Sequence, residues 1–231
     1  MKDFLEKIIR LIPGYFSDLL GLVSGPKHFV ADRLSRKDLT MEGPLRFVAV
    51  SFMMSWIIEL PLARSDPIVQ LAVDGAFVLA YVLLYGAVLC LAWRIVGGRA
   101  SLKQFFAIHF YYAGMLLLIT ACFFLASMGL LRALDPGLYG EVYGAAYSGN
   151  LPSFALQNLD RLWHSSAYKL SLALQVLGLV SGLAWIVIGW GAYRALNKLT
   201  RARACVAGAL FILFCLPVAA FTFLIANALM K

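Results

Sequence analysis

Five unbroken apolar stretches, residues 45–63, 67–93, 104–131, 170–190 and 205–229, constrain this chain more than anything else in it. An α-helix needs about 20 mostly apolar residues to cross a hydrocarbon core of about 30 Å, and each stretch supplies roughly that. Inside lipid every backbone N–H and C=O must be satisfied by the protein, so only helices and closed barrels span. Barrel strands alternate apolar and polar residues; these runs do not. The pattern predicts an all-α, multi-pass membrane helical bundle with five transmembrane helices. Pro61 falls near the end of the first span and Pro67 in the first turn of the second, where a missing N–H costs little. Pro217 predicts a kink in the fifth. The chain is 62% hydrophobic and 14% charged, against about 45–50% and about 25% for soluble domains. That balance excludes an ordinary soluble enzyme and a disordered chain.

The formal net charge is +8, and the way it is distributed predicts a topology. Eight Lys and Arg fall in residues 1–46, three between spans two and three, and four between spans four and five; the remaining five lie on the other side. Cytoplasmic segments collect basic residues. The expectation is an integral membrane protein with the N-terminus inside and the C-terminus outside. The same bias accounts for the basic excess without a nucleic-acid partner. Residues 1–7 interleave charges where a secretory signal would be apolar, and position 2 is Lys, which excludes myristoylation.

Residues 1–44 read as a cytoplasmic or interfacial amphipathic segment preceding a five-span domain, 45–231. Phe4, Leu5, Ile8, Ile9 and Ile12 recur at helical spacing opposite Lys2, Asp3, Glu6, Lys7 and Arg10. Pro13-Gly14 predicts an interruption. A second run follows with Phe16, Leu19, Leu20 and Val23 and ends at Gly25-Pro26. Two placements stay open. These helices lie on the bilayer, favoured by anionic lipids, or they pack beneath the protein's own bundle. In the long connection before span four, residues 158–164 read as a short interfacial helix, since Trp163 favours that depth.

No HExxH, GxSxG or phosphate-binding glycine loop occurs, and the four cysteines form no CxxC pair. Neither catalytic residues nor a cofactor or metal site is expected. Polar residues within the spans are more informative, because ionisable groups there are costly. Glu59, Gln70, Asp74, Gln175 and Asn227 all fall in the outer half of the membrane. Gln70 and Asp74 are four apart, on one helix face. Two readings stand: the five line a polar cavity, as in a small transporter or channel, or they are interfacial residues touching water, headgroups or Arg64. His109 in span three reads as a hydrogen-bonded packing residue ahead of a proton relay. Gly178 and Gly182 form a GxxxG, which permits close helix packing.

The stretch Gly97-Gly98-Arg99-Ala100-Ser101-Leu102-Lys103-Gln104-Phe105-Phe106 resembles the Yip1-domain family, which has five membrane spans and a similar segment leading into the third. Ser24-Gly25-Pro26-Lys27-His28-Phe29 resembles the proline-containing segment before span one in bacterial members. Leu199-Thr200-Arg201-Ala202-Arg203-Ala204 resembles the basic turn before span five. The chain departs from the family in span three, where Tyr111-Tyr112 is followed by Ala113-Gly114 and no proline. The resemblance implies a non-enzymatic protein of the bacterial cytoplasmic (inner) membrane that organises a membrane or a membrane-protein complex, with the bilayer and other membrane proteins as partners.

Overall fold

A computed structural model describes the backbone of residues 2–35, 40–62 and 67–229, and their side chains except those of 2–12, 34–35, 67–70, 72, 74, 147 and 219–229. Ten α-helices make up nearly all of the described chain: α1 (Lys2–Ser24), α2 (Pro26–Ser35), α3 (Glu42–Glu59), α4 (Pro67–Ile95), α5 (Leu102–Leu134), α6 (Pro136–Tyr147), α7 (Leu151–Gln157), α8 (Leu159–His164), α9 (Ser166–Asn197) and α10 (Arg201–Leu229). Strands are absent among the described residues. A single 3₁₀ turn, Leu60–Leu62, ends α3 at Pro61.

α3, α4, α5, α9 and α10 are each long and apolar enough to cross a membrane. At most 28% of the most apolar window of each is buried within the protein, so Leu79, Val180, Val187, Ile212 and Leu216 remain exposed. Apolar surface on that scale is untenable in water. The chain is an integral membrane protein.

The helices overrun the apolar runs for local reasons. α5 begins at Leu102 because Ser101 and Gln104 form a reciprocal cap: the Gln104 N–H donates to Ser101 Oγ at 3.2 Å, and the Ser101 N–H donates to Gln104 Oε1 at 3.1 Å. α6 starts on Asp135, whose Oδ1 accepts from the Leu138 N–H at 2.9 Å, with Pro136 in the first turn.

One expectation is corrected. α1 runs without a break through Pro13-Gly14. A mid-helix proline costs about 3 kcal/mol, and tertiary contacts offset it. Tyr15, Asp18 and Leu22, one stripe of α1, are all buried. Gly14 lets the Arg46 guanidinium close in, since a Cβ there would lie 3.0 Å from Arg46 Nη2.

The described residues divide into two compact units. The first gathers Met1–Val50, Ala72–Met115 and Ile186–Lys231, and is centred on Tyr15, Phe47, Trp93, Phe105, Tyr111 and Tyr193. The second gathers Ser51–Leu71 and Leu116–Trp185, with Leu62, Met128, Leu131, Leu138, Val142 and Leu162 buried together. α8 coincides with the helix expected at 158–164. α6 and α7 precede it in the same connection.

Candidate functional site

In the first unit a carboxylate holds three other helices to α1. Asp18 is 1% exposed. Its Oδ1 accepts from Arg33 Nη2 on α2, and its Oδ2 lies 3.4 Å from Arg46 Nη2 on α3 and 3.4 Å from the Tyr111 hydroxyl on α5. Burying a lone carboxylate would be prohibitive; two guanidiniums and a phenol make the site tenable. The surrounding rings seal it, with Phe47 and Phe29 packed 5.2 and 5.0 Å from Tyr111, centroid to centroid. A Cβ on Gly21 would lie 2.8 Å from the Phe29 ring, so Gly21 lets α2 fold closely back on α1. Among the described residues no acceptor meets the buried Arg46 Nε.

The first unit also locks the α4–α5 turn onto α9. The Ala100 N–H donates to Asn197 Oδ1 at 3.3 Å, and Asn197 Nδ2 donates to the Tyr193 carbonyl at 2.9 Å. Gly98 is required for this approach, because a Cβ there would stand 2.5 Å from Asn197 Oδ1 and 2.7 Å from the Trp93 carbonyl. Gly97 turns the chain with φ 92°, in the region that favours glycine. Beneath the turn, Trp93 packs on Trp190 at 4.9 Å, and Phe105 on Tyr193 at 5.0 Å. His109 bridges Tyr193 Oη at 3.3 Å and the Val82 carbonyl at 2.8 Å. Both ring nitrogens have partners within the protein, an arrangement suited to packing.

In the second unit Arg161 grips Glu141 with both guanidinium nitrogens, at 2.8 and 3.1 Å. The facing carboxylate raises the Arg161 pKa. Arg132 donates to the Pro61 carbonyl at 2.8 Å and lies over the Tyr139 ring. These contacts brace the helices of the connection.

Of the five polar residues singled out from the sequence, the structure describes the side chains of Glu59 and Gln175. Gln175 donates to Ser127 Oγ across α9 and α5 at 3.2 Å, and Glu59 is half-buried at the end of α3. The side chains of Gln70, Asp74 and Asn227, and all of Arg64, lie outside the described residues. Gly178 and Gly182 face α5: a Cβ would meet the Phe123 Cβ at 2.6 Å in the first case and Leu116 Cδ1 at 3.4 Å in the second. Among the described residues no three His, Cys, Asp or Glu converge to hold a metal ion. Sequence reasoning missed Asp18 and Asn197. A lone acid inside an otherwise apolar helical stripe was the available signal for Asp18; nothing local marked Asn197.

Comparison with protein-family models, curated proteins and solved structures finds no match to this chain.

Proposed function

We propose that this protein is a non-catalytic, Yip1-like component of the bacterial cytoplasmic membrane that organises the membrane or a membrane-protein complex, with its N-terminus inside and C-terminus outside. The carrying observation is the two-sidedness of α1. Tyr15, Asp18 and Leu22 are buried against the protein, while Phe16, Leu20 and Val23 on another stripe are 45–66% exposed. The Asp18 contacts hold that apolar stripe outward at fixed register, as a platform for headgroups or for a helix of a membrane partner. The resemblance of residues 97–106 to the Yip1 family supports the same reading.

A photo-crosslinking residue at Leu20, in the full chain in native membranes, tests this. Defined adducts with lipid or one membrane protein are expected, lost in Leu20→Glu. Solute or ion flux in proteoliposomes that disappears in Asp74→Asn would refute the reading and establish the transporter alternative.

A further inference from the structure

We infer that the paired α4–α5 and α9–α10 connections form a binding site for an anionic phospholipid carrying two headgroup phosphates. Residues 94–103 contain Arg94, Arg99 and Lys103, and residues 194–203 contain Arg194, Lys198, Arg201 and Arg203; neither segment contains Asp or Glu. Basic residues flanking spans are ordinary. Their juxtaposition here is not, because Asn197, 3% exposed, ties the two segments together through the Ala100 N–H.

Arg203 reaches across from α10, its Nη1 3.6 Å from where a Cβ on Gly97 would lie. Arg94 closes the turn from the other side by donating to the Ala100 carbonyl at 2.7 Å. All of these cations except the half-buried Arg194 are exposed. Cations fixed on two bridged connections match two linked phosphates better than one, since each phosphate then finds its own set of donors.

A lipid fits better than a soluble polyphosphate for two reasons. The cations sit within a few residues of span ends, at Ile95, Leu102, Asn197 and Arg201, which sets them at headgroup depth. The same helix ends carry exposed Leu91, Ile95, Leu102 and Val206, which suit acyl chains.

The test uses the full-length protein in phosphatidylcholine nanodiscs titrated with fluorescent cardiolipin. A basic residue beside an anionic headgroup contributes about a fivefold gain in affinity, so Arg99→Gln with Arg203→Gln should weaken binding by about 25-fold. The control, Arg161→Gln with Lys169→Gln, removes the same charge from the second unit and should leave binding unchanged. Where the first pair fails to fold, Lys103→Gln with Arg201→Gln carries the same expectation. Wild-type affinity in the site variant, or an equal loss in the control, would overturn the proposal in favour of diffuse surface charge. Inorganic pyrophosphate displacing cardiolipin at comparable concentration would overturn the lipid in favour of a soluble phosphate.

Discussion

Replacing Asp18 with Asn tests the central contact of the first unit. The change keeps the side chain's size, so no cavity opens, but two guanidiniums lose their counter-charge. Breaking a buried ion pair from one side costs about 3–5 kcal/mol. The Arg33 and Arg46 side chains are 29% and 23% exposed, so water recovers part of this, and the expected loss is about 2–4 kcal/mol. The asparagine can still accept from Tyr111, which retains one neutral hydrogen bond. Thermal unfolding of the full chain in detergent should show the loss. Amide exchange should speed up in residues 13–24 and 26–33, the segments Asp18 ties to α3 and α5. Arg33→Gln should cost less, because Arg46 and Tyr111 still face the carboxylate. An Asp18→Asn protein within about 0.5 kcal/mol of wild type, the range of ordinary surface substitutions, and with unchanged exchange would refute the reasoning.

Reporter fusions should read as external after Lys231 and internal near Arg99 or Lys198; an internal C-terminus would overturn the charge-based topology. Gly98→Ala should destabilise by about 1–3 kcal/mol as an overpacked site, because one obstructing atom is the Trp93 backbone carbonyl; unfolding in detergent measures it. Gly178→Ala should destabilise while Gly182→Ala is tolerated, since only the first meets Phe123 at 2.6 Å; equal effects in the same assay would show that α9 does not rest on α5 through this face. Gly144→Ala in α6, where no atom lies within 4 Å of the added methyl, should raise stability by about 0.5–1 kcal/mol.

The spans were legible because the bilayer imposes a length and a polarity that one segment has to meet by itself, and residues 45–63 or 104–131 carry both. Their exact ends depend on caps. The Ser101–Gln104 pair is a local signal, readable three residues apart, and so is Ser165, whose Oγ accepts from the Tyr168 N–H at 3.2 Å and starts α9 four residues before its apolar run. Pro13-Gly14 misled for the opposite reason. The proline rule is local, and what outweighs it is Tyr15 meeting Phe47 and Asp18 meeting Arg46 and Tyr111, far along the chain. Asp18 shows the same limit most sharply: its partners lie 15, 28 and 93 residues away, a separation at which hydropathy and spacing carry no information about pairing. The connection before α9 repeats the lesson at shorter range: the sequence points to a helix there only at 158–164, yet Asp135 caps α6 and Leu138, Tyr139 and Val142 bury one face of it. In each case the side chain's own chemistry was visible in the sequence. Its partner was not, because folding, and not sequence neighbourhood, decides which buried charge or carbonyl it meets.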